Sequence, residues 1–199
     1  MLIIGISGKI GTGKTELTKL LMERLGKGCA RLAFGDALKR ECAERYNFDL
    51  ALCYSQEGKL KHLLHPDLPG GCMQVREILQ WHGQKRRREH PGYWVGRWAA
   101  LLQELPDDTT CLFVDDVRYP DEKNAVEHRH GFCVRLNPWP GWVPGPYAGH
   151  ESETALDAYA WHEWAEHPTR TQDDLLLLAD RVEKTAREWE ETQGWGFVD

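Results

Sequence analysis

Apolar positions follow two rhythms along this chain: short unbroken runs, and repeats at three- and four-residue spacing. Residues 2–7 (LIIGIS) form an unbroken run bounded by glycine, which predicts a buried strand. Over 13–26, Leu17, Leu20, Leu21 and Leu25 recur at helical spacing and Gly26 is a natural stop. Residues 29–34 predict a second strand. Asp36 is placed to cap a helix running to about Tyr46, with Leu38, Cys42 and Tyr46 on one face. Strand, helix, strand, helix at this spacing implies a parallel α/β sheet.

Residues 47–74 carry no clear period, and HPDLPGG at 65–71 is a turn or loop, so a mobile insertion is expected there. Helices are predicted at 75–89, with Ile78, Leu79 and His82 on one side, and at 93–105, with Trp94, Trp98, Leu101, Leu102 and Leu105; Pro91 and Gly92 separate them. Residues 111–114 predict a buried strand ending in Asp115 and Asp116. A helix at 120–130, stopped by Gly131, and a strand at 132–136 follow. The stretch 137–149 (NPWPGWVPGPYAG) is too rich in Pro, Gly and aromatics for regular structure and predicts a surface flap. Strong helix formers over 171–191 predict a long final helix. No repeat period or low-complexity tract is visible.

Length changes the picture first: 199 residues suit one globular domain, or one with an insertion. The net charge of -6 argues against a protein that coats a nucleic-acid polymer. No stretch approaches the roughly 20 apolar residues that span a bilayer. The apolar start lacks the basic residues of a signal peptide. Six Cys form no C-x-x-C pair, and Cys29, Cys111 and Cys133 sit in apolar runs, which predicts a reducing, cytoplasmic setting. All nine Trp lie at or beyond position 81, so the two ends of the chain differ in composition.

The candidate chemistry begins at residues 8–15, GKIGTGKT, which fit G-x-x-x-x-G-K-[ST] between a buried strand and a helix start. The backbone of Gly8, Lys9, Gly11, Thr12 and Gly13 can curl so that its amides point at phosphate oxygens. The helix N-terminus adds partial positive charge. Lys14 can reach β- and γ-phosphates, and the Thr15 hydroxyl can ligate Mg²⁺. The plain alternative is a glycine-rich turn that matches by chance. Asp115 and Asp116, ending a strand about a hundred residues on, are placed to serve the metal, Asp115 first; capping a helix or pairing with Arg118 is the structural alternative. The run Lys85-Arg86-Arg87-Arg88, with Arg76 before it and Arg118 after, suits a clamp on phosphate, or else a solvated helix face.

Two further groups carry weaker signals. Cys53, His62, His65 and Cys72 offer zinc-type ligands, but their spacing is not that of a standard zinc site, and packing or surface roles are expected. Trp139, Trp142 and Tyr147 could stack on a base, with packing of the flap the expected role. No N-K-x-D signature is present and the chain is short for a mechanical ATPase. A kinase of a small molecule remains.

At this point the sequence resembles the phage-type deoxynucleoside monophosphate kinases, within the P-loop nucleoside monophosphate kinase group. The resembling segments are GKIGTGKT, FGDALK at 34–39, REILQWHG at 76–83, RRREHPGYWV at 86–95, VDDVRYPDE at 114–122 and HESETAL at 150–156. Thr15 stands where many relatives carry Asp, and the interval from the Arg run to Trp94 is about one residue short. The resemblance implies a P-loop fold: one domain over 1–199, a mostly parallel sheet of about five strands with helices on both faces, and a lid or acceptor-binding helical insertion at about 47–105. It also implies an edge strand at 161–166, where composition reads equally well as helix.

The resemblance further implies that MgATP and a deoxynucleoside monophosphate give ADP and the diphosphate. By it, Lys14 and the loop amides hold the donor, while Thr15 and Asp115 position Mg²⁺. Asp36 and Lys39 face the acceptor, and Arg76, Arg88 and Arg118 grip its phosphate, with Arg87 beside them. Gln80 bonds the acceptor base and Trp81 or Trp94 stacks on it. Asp116, His150, Glu151 and Glu153 fit the pattern, with Asp116 and Glu151 counted on the acceptor side. Lys14, Asp36, Arg88 and Arg118 are the expected catalytic set. The expected partners are small molecules, with neither nucleic-acid polymer nor membrane, and a homodimer is consistent with the aromatic flap. The rival readings are a kinase of a nucleoside or coenzyme precursor and a non-catalytic ATP-binding regulatory module.

Overall fold

A computed structural model describes residues 1–145, 148–159, 161, 166–168 and 171–193. In chain order the elements are β1 (Leu2–Gly8), α1 (Lys14–Leu25), β2 (Cys29–Arg31), α2 (Phe34–Arg45), α3 (Gln56–Lys59), β3 (His62–Leu64), β4 (Cys72–Gln74), α4 (Val75–Glu89), α5 (Tyr93–Leu101), β5 (Cys111–Val117), α6 (Pro120–Glu127), β6 (Phe132–Asn137), α7 (Glu151–Thr154), β7 (Glu166–Pro168) and α8 (Gln172–Gln193). Among the described residues, β2, β5, β1, β6 and β7 form one parallel sheet in that order, while β3 and β4 pair as an antiparallel hairpin. The expected mostly parallel sheet with flanking helices is what the chain forms. No helix among the described residues is long and apolar enough to cross a membrane.

The chain divides into two compact units, Met1–Ala33 with Leu105–Asp199, and Phe34–Glu104. In the first, the central strands are mostly apolar, polar residues entering β5 and β6 only toward their carboxyl ends, because helices cover both faces. Leu2, Ile4, Ile6, Phe113, Val134 and Leu136 pack in one cluster with Leu17 and Leu21 of α1 and Leu178 and Val182 of α8. The opposite face closes on α6. There a Cβ on Gly5 would lie 2.5 Å from the Cys133 sulfur and 3.5 Å from Val126, so β1 and β6 leave room only for glycine.

The strand register carries one irregularity with consequences for the site. Gly5 pairs with Val114, but Ser7 pairs with Val117. Asp115 and Asp116 therefore stand together against Ile6, a β-bulge of the kind that re-aims side chains. The acidic pair lies inside β5, which runs to Val117 rather than stopping at residue 114.

The second unit packs α2 against α4 and α5. Cys42, Tyr46, Leu68 and Ile78 form its core, with Leu63 and Met73 of the hairpin against them. Phe34 lies 4.6 Å from Trp98, ring centre to ring centre. This contact explains a difference from the sequence reading: β2 ends at Arg31, and Phe34 opens α2 instead of closing a strand. Asp36 therefore sits in the first turn of α2, buried, rather than capping it. Residues 47–74 are built of short regular pieces. Asp49 and Ser55 accept from the amides of Ala51 and Gly58 and start two turns, and the hairpin then follows. Such pieces are too short to show a period. Of the edge strand expected at 161–166, residues 162–165 lie outside the described ones; the edge strand described is β7, paired with β6.

Candidate phosphate-binding site

The G-x-x-x-x-G-K-T loop joins the carboxyl end of β1 to α1. Gly8 has φ 143°, and a Cβ there would lie 2.6 Å from the Leu136 carbonyl oxygen and 2.8 Å from Thr12 Oγ1. Gly13, left-handed at φ 92°, caps α1. The Thr12 hydroxyl is buried and donates to the Lys9 carbonyl at 2.9 Å. Lys14 curls across the loop, its Nζ donating to the carbonyls of Gly8 and Lys9, both at 2.7 Å. Thr15 is exposed on the first turn of α1. Trp142 of the flap approaches the loop, with Nε1 3.9 Å from where a Cβ on Gly11 would stand.

Charge gathers at this point. Desolvation, then the Arg118 guanidinium, hold the Lys14 pKa down at about 8, against the opposing pull of Glu153, Asp115 and Asp116. Arg118 follows β5; its backbone amide donates to Glu122 at 2.8 Å, and its guanidinium bonds the Ser152 carbonyl at 3.3 Å and the Glu153 carboxylate. Asp115 is held by Arg31 from β2, with Nε to Oδ2 at 2.9 Å. Asp116 is half-buried on the same bulge.

The sequence marks Glu153 without a role, and marks neither Arg31 nor Asp157. The signal for Glu153 was its place in HESETAL; Arg31 had no signal, because its role depends on β2 lying beside β5. Glu151 is exposed. The donor set can suit a divalent metal. Thr15, Asp115 and Asp116 offer hard oxygen ligands, and both carboxylates lie close enough to raise the Lys14 pKa. Among the described residues no three His, Cys, Asp or Glu form a cage of their own. Mg²⁺ does not require one, since it keeps several waters and shares phosphate oxygens.

The remaining candidates lie in the second unit. Asp36 accepts from Lys39 Nζ at 2.9 Å and from the Tyr54 hydroxyl at 3.3 Å. Arg76 donates to Gln56 at 2.6 Å. Gln80 and Arg87 are half-buried and Arg88 is exposed on α4. Trp81 is half-buried, with the Lys85 ammonium 5.4 Å from its ring centre. Trp94 is 2% exposed and its indole donates to the Gly83 carbonyl at 3.0 Å, so it ties α5 to α4 as core. Arg86 is engaged with Glu41 at 2.9 Å. Glu41 also accepts from Tyr93 at 2.6 Å and His82 at 2.8 Å, making a half-buried hub that the sequence does not mark.

No protein-family model matches the chain. It is 24% identical over 148 residues, 69% of its length and 74% of the relative's, to an Acanthamoeba polyphaga mimivirus protein named "Putative deoxynucleotide monophosphate kinase". Among solved structures it is similar to shikimate kinase from Bacteroides thetaiotaomicron, at a TM-score of 0.41 and 14% identity over 94% of this chain and 98% of that one. The parallel sheet, the phosphate-binding loop and the mimivirus relative together support a P-loop kinase.

Proposed function

We propose that the chain is a deoxynucleoside monophosphate kinase that moves the γ-phosphoryl group of ATP to a deoxynucleoside monophosphate, giving ADP and the diphosphate. The observation that carries this reading is the gathering of Lys14, Arg118, Asp115 and Asp116 around one glycine loop. The mimivirus relative named for this activity supports it.

Lys14 and the amides of residues 8–15 hold the β- and γ-phosphates. Lys14 would exchange its two carbonyl partners for phosphate oxygens, which regain for it the solvation lost on burial. Thr15 and Asp115 would hold Mg²⁺, which when bound neutralises phosphate charge; Asp116, on the same bulge, faces the acceptor. Arg118 stabilises the charge that builds on the oxygens in flight. In the second unit, Asp36, Lys39, Arg76, Arg87 and Arg88 are assigned to the acceptor, with Gln80 and Trp81 on its base. Glu151, exposed in the first unit, keeps its assignment to the acceptor side. Trp94 is left out of that set because its indole is committed to the core. An acceptor phosphate oxygen attacks the γ-phosphorus as the bond to the β–γ bridging oxygen breaks. The attacking oxygen is already ionised, so positioning rather than a strong base does the chemistry.

Steady-state ADP formation with MgATP and a panel of deoxynucleoside monophosphates tests the reading. At least one should stimulate turnover, and Lys14→Ala and Arg118→Ala should each reduce it by about 10²–10³-fold in folded protein. Turnover at background with every monophosphate would overturn the assignment.

A further inference from the structure

Three cations of the first unit converge on one short segment around α7. Lys9 Nζ donates to the Glu153 carbonyl and to Asp157 Oδ2, both at 2.5 Å. Arg135 donates to the Leu156 carbonyl at 2.6 Å and to Asp157 Oδ1 at 2.5 Å. Arg118 bonds the Ser152 carbonyl and the Glu153 carboxylate. Asp157 meets the phosphate-binding loop at the Lys9 side chain, whereas the Glu153 carboxylate meets the loop backbone. Glu153 is 8% exposed, and its Oε2 accepts from the Ile10 amide at 2.9 Å.

A carboxylate this deeply buried is costly unless its lone pairs are filled. Here one oxygen takes the loop amide and the other takes the guanidinium, so one planar group spans both and fixes the distance between them. An arginine side chain is otherwise long and flexible, and its head would sample many positions. Glu153 also supplies negative charge beside two cations that repel each other: Arg118 and Lys14 act on one another, and Glu153 opposes that effect.

We propose that Glu153 is a positioning residue that fixes the Arg118 guanidinium against the lip of the phosphate-binding loop. Its consequence for turnover rests on the kinase reading above; the placement of Arg118 does not.

The test uses the full chain with Glu153→Gln, which keeps the size and an acceptor oxygen for Ile10 but loses the charge. Glu153→Asp serves as the conservative partner. Two readouts are taken. The first is the Nε–H signal of Arg118 by ¹⁵N NMR, assigned by its loss in Arg118→Lys. It should be restrained in the parent chain and in Glu153→Asp, and averaged in Glu153→Gln. The second is kinetics: Glu153→Gln should lower kcat by about 10²-fold with the ATP KM within about twofold, and Glu153→Asp should recover part of the loss. An Arg118 signal unchanged in Glu153→Gln, or a kcat unchanged, overturns the proposal. A parent chain that turns over no monophosphate overturns the kinase reading instead, and the Arg118 signal then decides the role of Glu153 by itself.

Discussion

Arg31 at the end of β2 pairs with Asp115 on β5: its Nε donates to Oδ2 at 2.9 Å, and an amino nitrogen stands 2.7 Å from Oδ1 as an ion pair, leaving Oδ1 without a hydrogen bond. The Asp115 side chain is 4% exposed and that of Arg31 36%. The pair joins neighbouring strands at the end of the sheet that carries the loop. Removing the cation leaves a buried charge behind. Arg31→Met should therefore cost about 1–3 kcal/mol in urea unfolding. The double variant with Asp115→Asn should recover most of that loss, because the stranded charge is gone as well.

Lys14 gives the site a pH dependence. Its pKa is held at about 8, mainly by desolvation, while phosphate binding demands the ammonium form. Below that value the free protein is already protonated there. Above it, each pH unit should weaken binding of a non-hydrolysable ATP analogue about tenfold, until the pKa of the bound form is reached. Isothermal titration from pH 7 to 9.5 measures this. Above pH 8, buffers of different ionisation enthalpy should also reveal proton uptake on binding, and that uptake should vanish in Lys14→Met.

His82 makes the second unit sensitive to acid. A neutral ring protonated at Nε2 donates to Glu41 at 2.8 Å and accepts from the Tyr46 hydroxyl at Nδ1, also at 2.8 Å. Burial lowers its pKa against the pull of Glu41, and a ring that accepts from Tyr46 at Nδ1 is the neutral form. As pH falls through 6.5 the unfolded chain takes up the proton first, so stability declines. Glu41, held below the usual carboxylate range by its bonds to Tyr93, His82 and Arg86 against the desolvation that would raise it, adds a further loss at lower pH. Tyr46→Phe removes the donor to Nδ1 and should raise the His82 pKa, read from its ring proton by NMR. The loss of thermal stability between pH 7 and 5 should then be smaller than in the parent chain.

Gly5 is a packing requirement rather than a turn. Its absent Cβ would sit 2.5 Å from Cys133 Sγ and 3.1 Å from Val117. Gly5→Ala should destabilise by about 1–3 kcal/mol, measured by urea unfolding. Cys133→Ala, which deletes the nearest atom, should relieve part of that cost in the double variant.

Local chemistry made much of the first unit legible. Two buried faces require continuous apolar strands, so LIIGIS at 2–7 and the run at 111–114 stood out. Gly8, Gly13, Lys14 and Thr15 stood out because their loop is contiguous in the chain. Residues 47–74 were opaque because three-residue strands and single helical turns are shorter than one period. Trp94 was misleading: an indole suits base stacking and helix packing equally well, and only its bond to Gly83 separates the two.

The sequence by itself determined the parallel α/β class, the phosphate-binding loop and the nearness of an acidic pair to a strand end. Each depends on residues close together in the chain. Only the tertiary structure decided that Arg31 meets Asp115 across 84 positions, that Glu153 reaches Ile10 across 143, and that Glu41 gathers His82, Arg86 and Tyr93. Those partners are selected by strand order, helix packing and a bulge in β5. No local pattern records them, because a charged residue reads the same in sequence whether solvent or a buried counter-ion faces it.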